Sequence, residues 1–279
     1  MSYKIILVHL DNSPRCAARA TLAAQWARVH GAHLVGLVPT GLYDGIIPAD
    51  AIAVGGSDFI ADSAEYLRRR AEAISRAFYE YVRGAGDLPH EVRVVDGTAI
   101  DAVVQHGRTS DLVVLGQHDS QDDLDTAPRD LPQRALMELG RPVLIVPYAG
   151  QFEGPARQAV VAWDGSREAA VALRAAIPAL QHAAKVTLIS WRRPGREAGD
   201  DLRVREMLHY LRRHDIEANA EDDVTEIEVG DSLLSRLTDL DADLLVMGGY
   251  GHSRFRELML GGATRQILAR MTVPVLMAH

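Results

Sequence analysis

The chain has 279 residues, 47% hydrophobic and 24% charged, which suits one large or two ordinary globular domains with apolar material for a core. Its formal net charge of −8 argues against a broad grip on nucleic acid or an anionic membrane, so bound phosphate would need local donors. The lone cysteine, Cys16, excludes an internal disulfide and fits a reducing compartment.

Taken in order, Tyr3 to Leu10 reads as a first strand. It runs into Asp11-Asn12-Ser13-Pro14, where Ser13 is expected to cap a helix and Pro14 to take its first position. The helix continues through Leu22, Ala23, Trp26 and Ala27 to Gly31, and His33 to Val38 is a second strand, completing a βαβ unit. Residues 39–60, punctuated by Pro39, Gly41, Gly45, Pro48, Gly55 and Gly56, read as a long loop or irregular insertion. A helix from about Ser57 to Arg83 is expected to bury Tyr66, Ala73, Ile74, Ala77 and Tyr81. Glu91 to Val95 is a third strand, a short helix runs to about Arg108, and Asp111 to Gly116 and Pro142 to Val146 are the fourth and fifth strands.

The pattern then begins again. Gln158 to Trp163 repeats the first strand, Asp164-Gly165-Ser166 repeats Asp11-Asn12-Ser13, and Lys185 to Ser190 repeats the second strand after an alanine-rich helix over 168–183. A helix over 201–214 is expected to turn Leu202, Met207, Leu208 and Leu211 inward, and Glu226 to Gly230 echoes the approach to Gly97. Asp243-Leu-Leu-Val-Met-Gly248 matches Asp111-Leu-Val-Val-Leu-Gly116, and the interval from Gly116 to Pro142 equals that from Gly248 to Pro274. Two copies in register are an internal duplication. The expected architecture is α/β: two duplicated, doubly wound, Rossmann-like domains with mostly parallel sheets, over 1–148 and 156–279, joined by a glycine- and proline-containing linker.

The second copy ends its fourth strand on Gly248, followed by Gly251, Gly261 and Gly262 before a helical pattern. Glycines there let the backbone turn tightly and bring helix N–H groups close to a phosphate. It is neither a Gly-Lys-Ser/Thr loop nor a G-x-G-x-x-G turn. Gly248-x2-Gly251-x9-Gly261 followed by a small residue resembles the ATP-binding signature of the universal stress proteins, and Val273-Pro274-Val275-Leu276 resembles that family's closing strand. One departure stands out, since the family has Ser or Thr where this chain has Gly262. The lost hydroxyl would weaken phosphate binding by ~0.5–1.5 kcal/mol.

Carried over residue by residue, the resemblance implies a site in the C-terminal half for ATP, or for ADP or AMP, with Mg²⁺ as an accompanying ion. Asp164 matches the acidic residue near ribose and metal, Ala162 borders the base, and Ser190 offers backbone groups to adenine. Met247 and Gly248 would flank the ribose, while Gly251, Gly261, Gly262, Ala263 and Thr264 would surround the phosphates, with Arg254 or Arg256 to neutralise charge. The resemblance also implies a tandem chain whose halves pack as an intramolecular pseudo-dimer, with the strands near 143–146 and 273–277 in contact, and homodimerisation remains open.

In the first copy Asp119 stands where Gly251 does, Arg129 and Asp130 replace Gly261 and Gly262, and Pro132 replaces Thr264. Five aspartates between Asp119 and Asp130 would repel a triphosphate, so this half is expected not to bind nucleotide in the family's way. Among other residues, Cys16 near a helix start is read as a small core residue in preference to a redox-sensitive thiol. Ser13 and Ser166 suit capping better than nucleophilic attack, and His209 and His214 lie five apart, off metal-binding spacing. His252 is read as a loop residue facing solvent or phosphate, and Trp163 and Trp191 as core residues before walls of a base pocket.

The functional expectation is an adenine-nucleotide-binding stress-response protein that regulates unidentified protein partners, with slow ATP hydrolysis at most. A nucleotide-free scaffold of the same fold is the alternative, and an adenylate-forming enzyme a third reading. No apolar run approaches the roughly 18 residues of a membrane span and no leader is evident, so the expected setting is cytoplasmic, away from membrane and nucleic acid.

Overall fold

The computed structural model describes residues 2–41, 57–119, 128–154, 156–192, 204–224, 227–251 and 262–279, with backbone alone over 57–64 and at 192. It divides into two compact units, Tyr3–Arg141 and, apart from the first two residues, Pro142–His279. Among the described residues no helix is long and apolar enough to cross a membrane.

The N-terminal unit runs β1 (Ile5–His9), α1 (Cys16–His30), β2 (His33–Pro39), α2 (Ser57–Ala85), β3 (His90–Val95), α3 (Ala99–Gly107), β4 (Leu112–Gly116) and α4 (Leu131–Glu138). Its strands have the order β3-β2-β1-β4, and all three pairings among them are parallel. Parallel strands covered on both faces read as continuous apolar runs, and Ile6, Leu7, Val8 and Leu112 to Leu115 are all fully buried. Helix α1 ends where Gly31 takes φ 61° and its N–H returns to the last turn.

The C-terminal unit runs β5 (Val143–Val146), β6 (Gln158–Ala162), α5 (Arg167–Leu180), β7 (Lys185–Arg192), α6 (Val204–Arg212), β8 (Ala218–Val224), α7 (Val229–Asp239), β9 (Leu244–Gly248), α8 (Gly262–Arg270) and β10 (Val275–Ala278). Its strand order is β5-β10-β9-β6-β7-β8, parallel except for β5, which pairs antiparallel with β10. The sequence of β5 completes the first repeat, yet the strand falls in the second compact unit.

The duplication has a shared chemical detail. Asp111 Oδ2 accepts the N–H groups of Lys4 and Ile5 at 2.7 and 3.1 Å, and Asp243 accepts those of Arg157 and Gln158 at 2.9 and 2.9 Å. In each unit one aspartate before an inner strand pins the start of its neighbour, satisfying N–H groups that the ladder leaves open.

Several local expectations shift. Helix α1 begins at Cys16 with Arg15 at its cap position, and Ser13 instead donates its hydroxyl to Asp11 Oδ1 at 2.6 Å. The proline at 14 sits in the turn that precedes the helix, so Ser13 is too early to cap it. Helix α2 buries Leu67, Ala71, Phe78 and Val82 while Tyr66 is 66% exposed, one position out of phase with the face expected. The segment around Gly230 opens α7, and the third strand of the second repeat is β8, Ala218–Val224. In α6, Leu211 is buried as expected and Met207 and Leu208 are half-buried, while Leu202 lies outside the described residues. Most of the insertion at 39–60 also lies outside them.

Candidate functional site

Open parallel sheets hold ligands beyond the carboxyl ends of their strands, where successive crossovers leave in opposite directions. In the C-terminal unit that point lies between β6 and β9, flanked by β7 and β10. The chain leaving β6 turns at Gly165, φ 73°, and Ser166 caps α5 by accepting the Ala169 N–H at 3.1 Å. Asp164 Oδ1 accepts the Ser166 N–H at 2.9 Å, which fixes an exposed carboxylate beside the helix start.

The loop leaving β9 comes down on the same turn. A Cβ built at Gly248 would lie 2.6 Å from the Ala169 nitrogen and 2.7 Å from the Glu168 carbonyl carbon. Close approach of strand to helix therefore explains this glycine without a ligand. A Cβ at Gly251 would lie 3.1 Å from Glu168 Oε2 and 3.6 Å from Ser166 Oγ, so a side chain there would crowd the polar groups at the start of α5. Tyr250, in the left-handed region at φ 53°, donates its N–H to Thr264 Oγ1 at 3.2 Å, tying this loop to the first turn of α8. His279 Nδ1 lies 3.0 Å from the Gly249 carbonyl, and the Gly249 N–H reaches Ala278 O at 2.9 Å.

Of the residues picked out in the sequence, Asp164, Gly248, Gly251 and Thr264 are thus brought together around the starts of α5 and α8. Gly262 and Ala263 open α8, whose first N–H groups lack acceptors within the helix, and nothing lies within 4 Å of a Cβ at Gly262. Met247 is buried at the end of β9, and Ala162, half-buried, ends β6. Ser190 lies on the adjacent strand β7, buried, with its hydroxyl 3.4 Å from Asp222 Oδ1. Trp191 donates Nε1–H to Ser232 Oγ on α7 at 3.0 Å, and Trp163 is buried in the core. Gly261, His252, Arg254 and Arg256 lie outside the described residues.

One residue at this point was missed. Glu168 is 5% exposed, and Arg167 Nη1, on a side chain 71% exposed, approaches it at 3.5 Å. In the sequence an acid in the first turn after a serine cap reads as ordinary helix-dipole pairing. Only the descent of the Gly248–Gly251 loop makes it part of the site.

The oxygen donors Asp164 and Glu168 suit a hard divalent cation such as Mg²⁺. No group of three or more His, Cys, Asp or Glu side chains is placed to hold a metal among the described residues, so phosphate oxygens would have to complete the set. His209 is exposed, whereas His214 is half-buried and packs edge-on against Tyr210 at 4.7 Å.

At the corresponding end of the N-terminal unit the space is taken by Arg19, a second residue the sequence reading passed over. Its guanidinium, buried, donates Nε–H to the His9 carbonyl at 2.8 Å and Nη2–H to Asp11 Oδ2 at 2.7 Å. A Cβ at Gly116 would lie 2.2 Å from Arg19 Nη1. Asp11, the counterpart of exposed Asp164, is itself buried. Burial alone would raise its carboxyl, but Arg19, His9 and two hydrogen bonds from Ser13 outweigh that and hold it at about 2, below the ordinary 3.8. What remains is a small cleft lined among others by His9, Asp11, Arg19, Gly116 and His118. Cys16 beside it is buried, and burial pushes its thiol up, away from the reactive thiolate.

Comparison with known proteins places this geometry. Residues 155–279 match the model of the universal stress protein family. This C-terminal domain belongs to the universal stress protein family. A curated relative, a universal stress protein of Synechocystis, is 53% identical over 34 residues, which covers 12% of this chain and 12% of that protein's length. Among solved structures, a universal stress protein from Archaeoglobus fulgidus matches over 98% of this chain and 95% of its own, with TM-score 0.73 at 15% identity. A further one from Pseudomonas aeruginosa matches over 99% and 93%, with TM-score 0.58 at 17% identity. At such identities these show the fold, two tandem domains of the universal stress protein type.

Proposed function

We propose that the C-terminal unit of this universal stress protein binds an adenine nucleotide, ATP or its products ADP and AMP. Occupancy would bias contacts with protein partners in a cytoplasmic stress response. The observation that carries the proposal is the close approach of Gly251 to Ser166 and Glu168, tied through Tyr250 and Thr264 to the N-terminus of α8. Backbone N–H groups and a helix start offer an anion ~0.3–2 kcal/mol from the dipole alone. Asp164 would serve a Mg²⁺ that also meets the phosphates. The reading assigns no nucleophile or general base, so hydrolysis is slow at most.

A nucleotide-free interaction protein is the second reading. It is favoured by Gly248, whose lack of a side chain is already required by packing on α5. Mass spectrometry of small molecules released on denaturation, followed by titration with Mg-ATP, separates the two. Nucleotide near one equivalent per chain, lost in Gly251→Asp, supports binding. No binding at millimolar Mg-ATP would establish the scaffold instead.

A further inference from the structure

We propose that Glu168 makes the C-terminal site selective for the divalent-cation complex of a nucleoside polyphosphate over the metal-free form. This rests on the nucleotide reading above and assigns Glu168 a role in it. Glu168 Oε2 lies 3.1 Å from where a Cβ at Gly251 would stand, so the carboxylate is held close against the loop that leaves β9. Glu168 is 5% exposed, so solvent screens it poorly, whereas Arg167, its ion-pair neighbour at 3.5 Å, is mostly in water and offsets little of its charge.

A buried carboxylate facing a polyphosphate repels it, and the repulsion at ~5 Å and an effective dielectric of ~20 is large enough to suppress binding tenfold or more. A divalent cation reverses the sign. When bound it supplies two positive charges between phosphate and protein, and hard oxygen ligands are what it takes. Asp164 lies on the same turn, held by the Ser166 N–H. Glu168 is the second carboxylate there, and its backbone is packed under Gly248, so the side chain leaves a fixed point. The N-terminal unit offers a contrast, since Asp11 there is matched by Arg19 and no cation is called for.

The test is calorimetric titration of the purified protein, stripped of nucleotide, with ATP in excess magnesium chloride and in EDTA, beside Glu168→Gln and Glu168→Ala. Adenosine serves as a ligand without phosphate. Magnesium should strengthen ATP binding by wild type, and removing the carboxylate should tighten metal-free ATP about tenfold, so the ratio of the two affinities falls about tenfold or more. Adenosine affinity should be the same in every protein and buffer, a result that damage to the fold would not give. A magnesium-to-EDTA ratio unchanged in both variants overturns the role of Glu168 while leaving nucleotide binding standing. Absence of binding by wild type in either buffer overturns the nucleotide reading and this proposal with it.

Discussion

Replacing Arg19 with methionine should destabilise the N-terminal unit by about 3–5 kcal/mol at neutral pH, the range for removing one partner of a buried ion pair. Methionine keeps much of the length and apolar stem but supplies no donor. The His9 carbonyl loses its bond at 2.8 Å, and Asp11, its side chain 6% exposed, loses its nearest cation at 2.7 Å. The pH dependence sharpens the prediction. With the carboxyl held at about 2 in the folded protein against 3.8 ordinarily, Asp11 adds stability above pH 3.8 that disappears as pH falls through about 2. A depression of that size is worth roughly 2–3 kcal/mol. Without Arg19, the strongest influence opposing burial is gone and the folded carboxyl rises. Acidification then costs the variant less stability than wild type, so the gap between wild type and variant should narrow from pH 7 towards pH 3. Adding Asp11→Asn to Arg19→Met should recover much of the loss, because an amide needs no counter-charge. Urea unfolding followed by the fluorescence of Trp26, with Trp163 and Trp191 replaced by phenylalanine throughout, reports on this unit. A loss below about 1 kcal/mol, or a gap equal at both pH values, would refute the ion-pair argument.

Gly248→Ala should cost ~1–3 kcal/mol, because the added carbon meets backbone atoms of Glu168 and Ala169 that cannot swing away; an unchanged thermal midpoint would contradict so close an approach. Gly262→Ser meets nothing within 4 Å and restores a hydroxyl, so it should tighten Mg-ATP binding by up to about tenfold in calorimetry. Weaker or equal binding would mean that this position does not face phosphate. Asp111→Ala and Asp243→Ala should each lose ~1–3 kcal/mol in urea, since each leaves two strand-start N–H groups short of their acceptor. A large loss in one and none in the other would break the parallel between the repeats.

Which features were legible follows from where their information lies. Buried parallel strands declare themselves as apolar runs, and the pairing of Asp111 with Asp243 repeats because each copy must anchor the same strand start. The strand β8 was hidden because it is an edge strand of acidic and small residues, Ala218 to Val224, with Glu221 paired to Arg236 from α7. Helix α2 was correctly placed but turned by one position, since Tyr66 and Tyr81 match Leu67 and Val82 as apolar periodic residues. Tertiary packing chose Leu67 and Phe78. The site was half legible for a related reason. Glycines, the Ser166 cap and Asp164 carry local backbone chemistry that a sequence displays.

Arg19 and Glu168 carry none. Each is a charged residue early in a helix, a pattern that usually marks a solvated face, and each acquires its role only when the loop after the inner strand descends upon it. At Gly116 that contact is a guanidinium already neutralising Asp11; at Gly248 and Gly251 it is backbone and a carboxylate, with Asp164 left exposed to water. On the proposed nucleotide reading, the copies therefore differ at this point by more than lost glycines. The first unit satisfies its buried acid from within, whereas in the second Asp164 is exposed at the turn and the buried Glu168 has the largely exposed Arg167 as its ion-pair neighbour. Restoring the glycines of the first copy alone, by Asp119→Gly with Arg129→Gly and Asp130→Gly, should then fail to create nucleotide binding while Arg19 stays in place. Binding gained by that triple variant in calorimetric titration with Mg-ATP would show that the loop, and not the occupied floor beneath it, is what closed the first site.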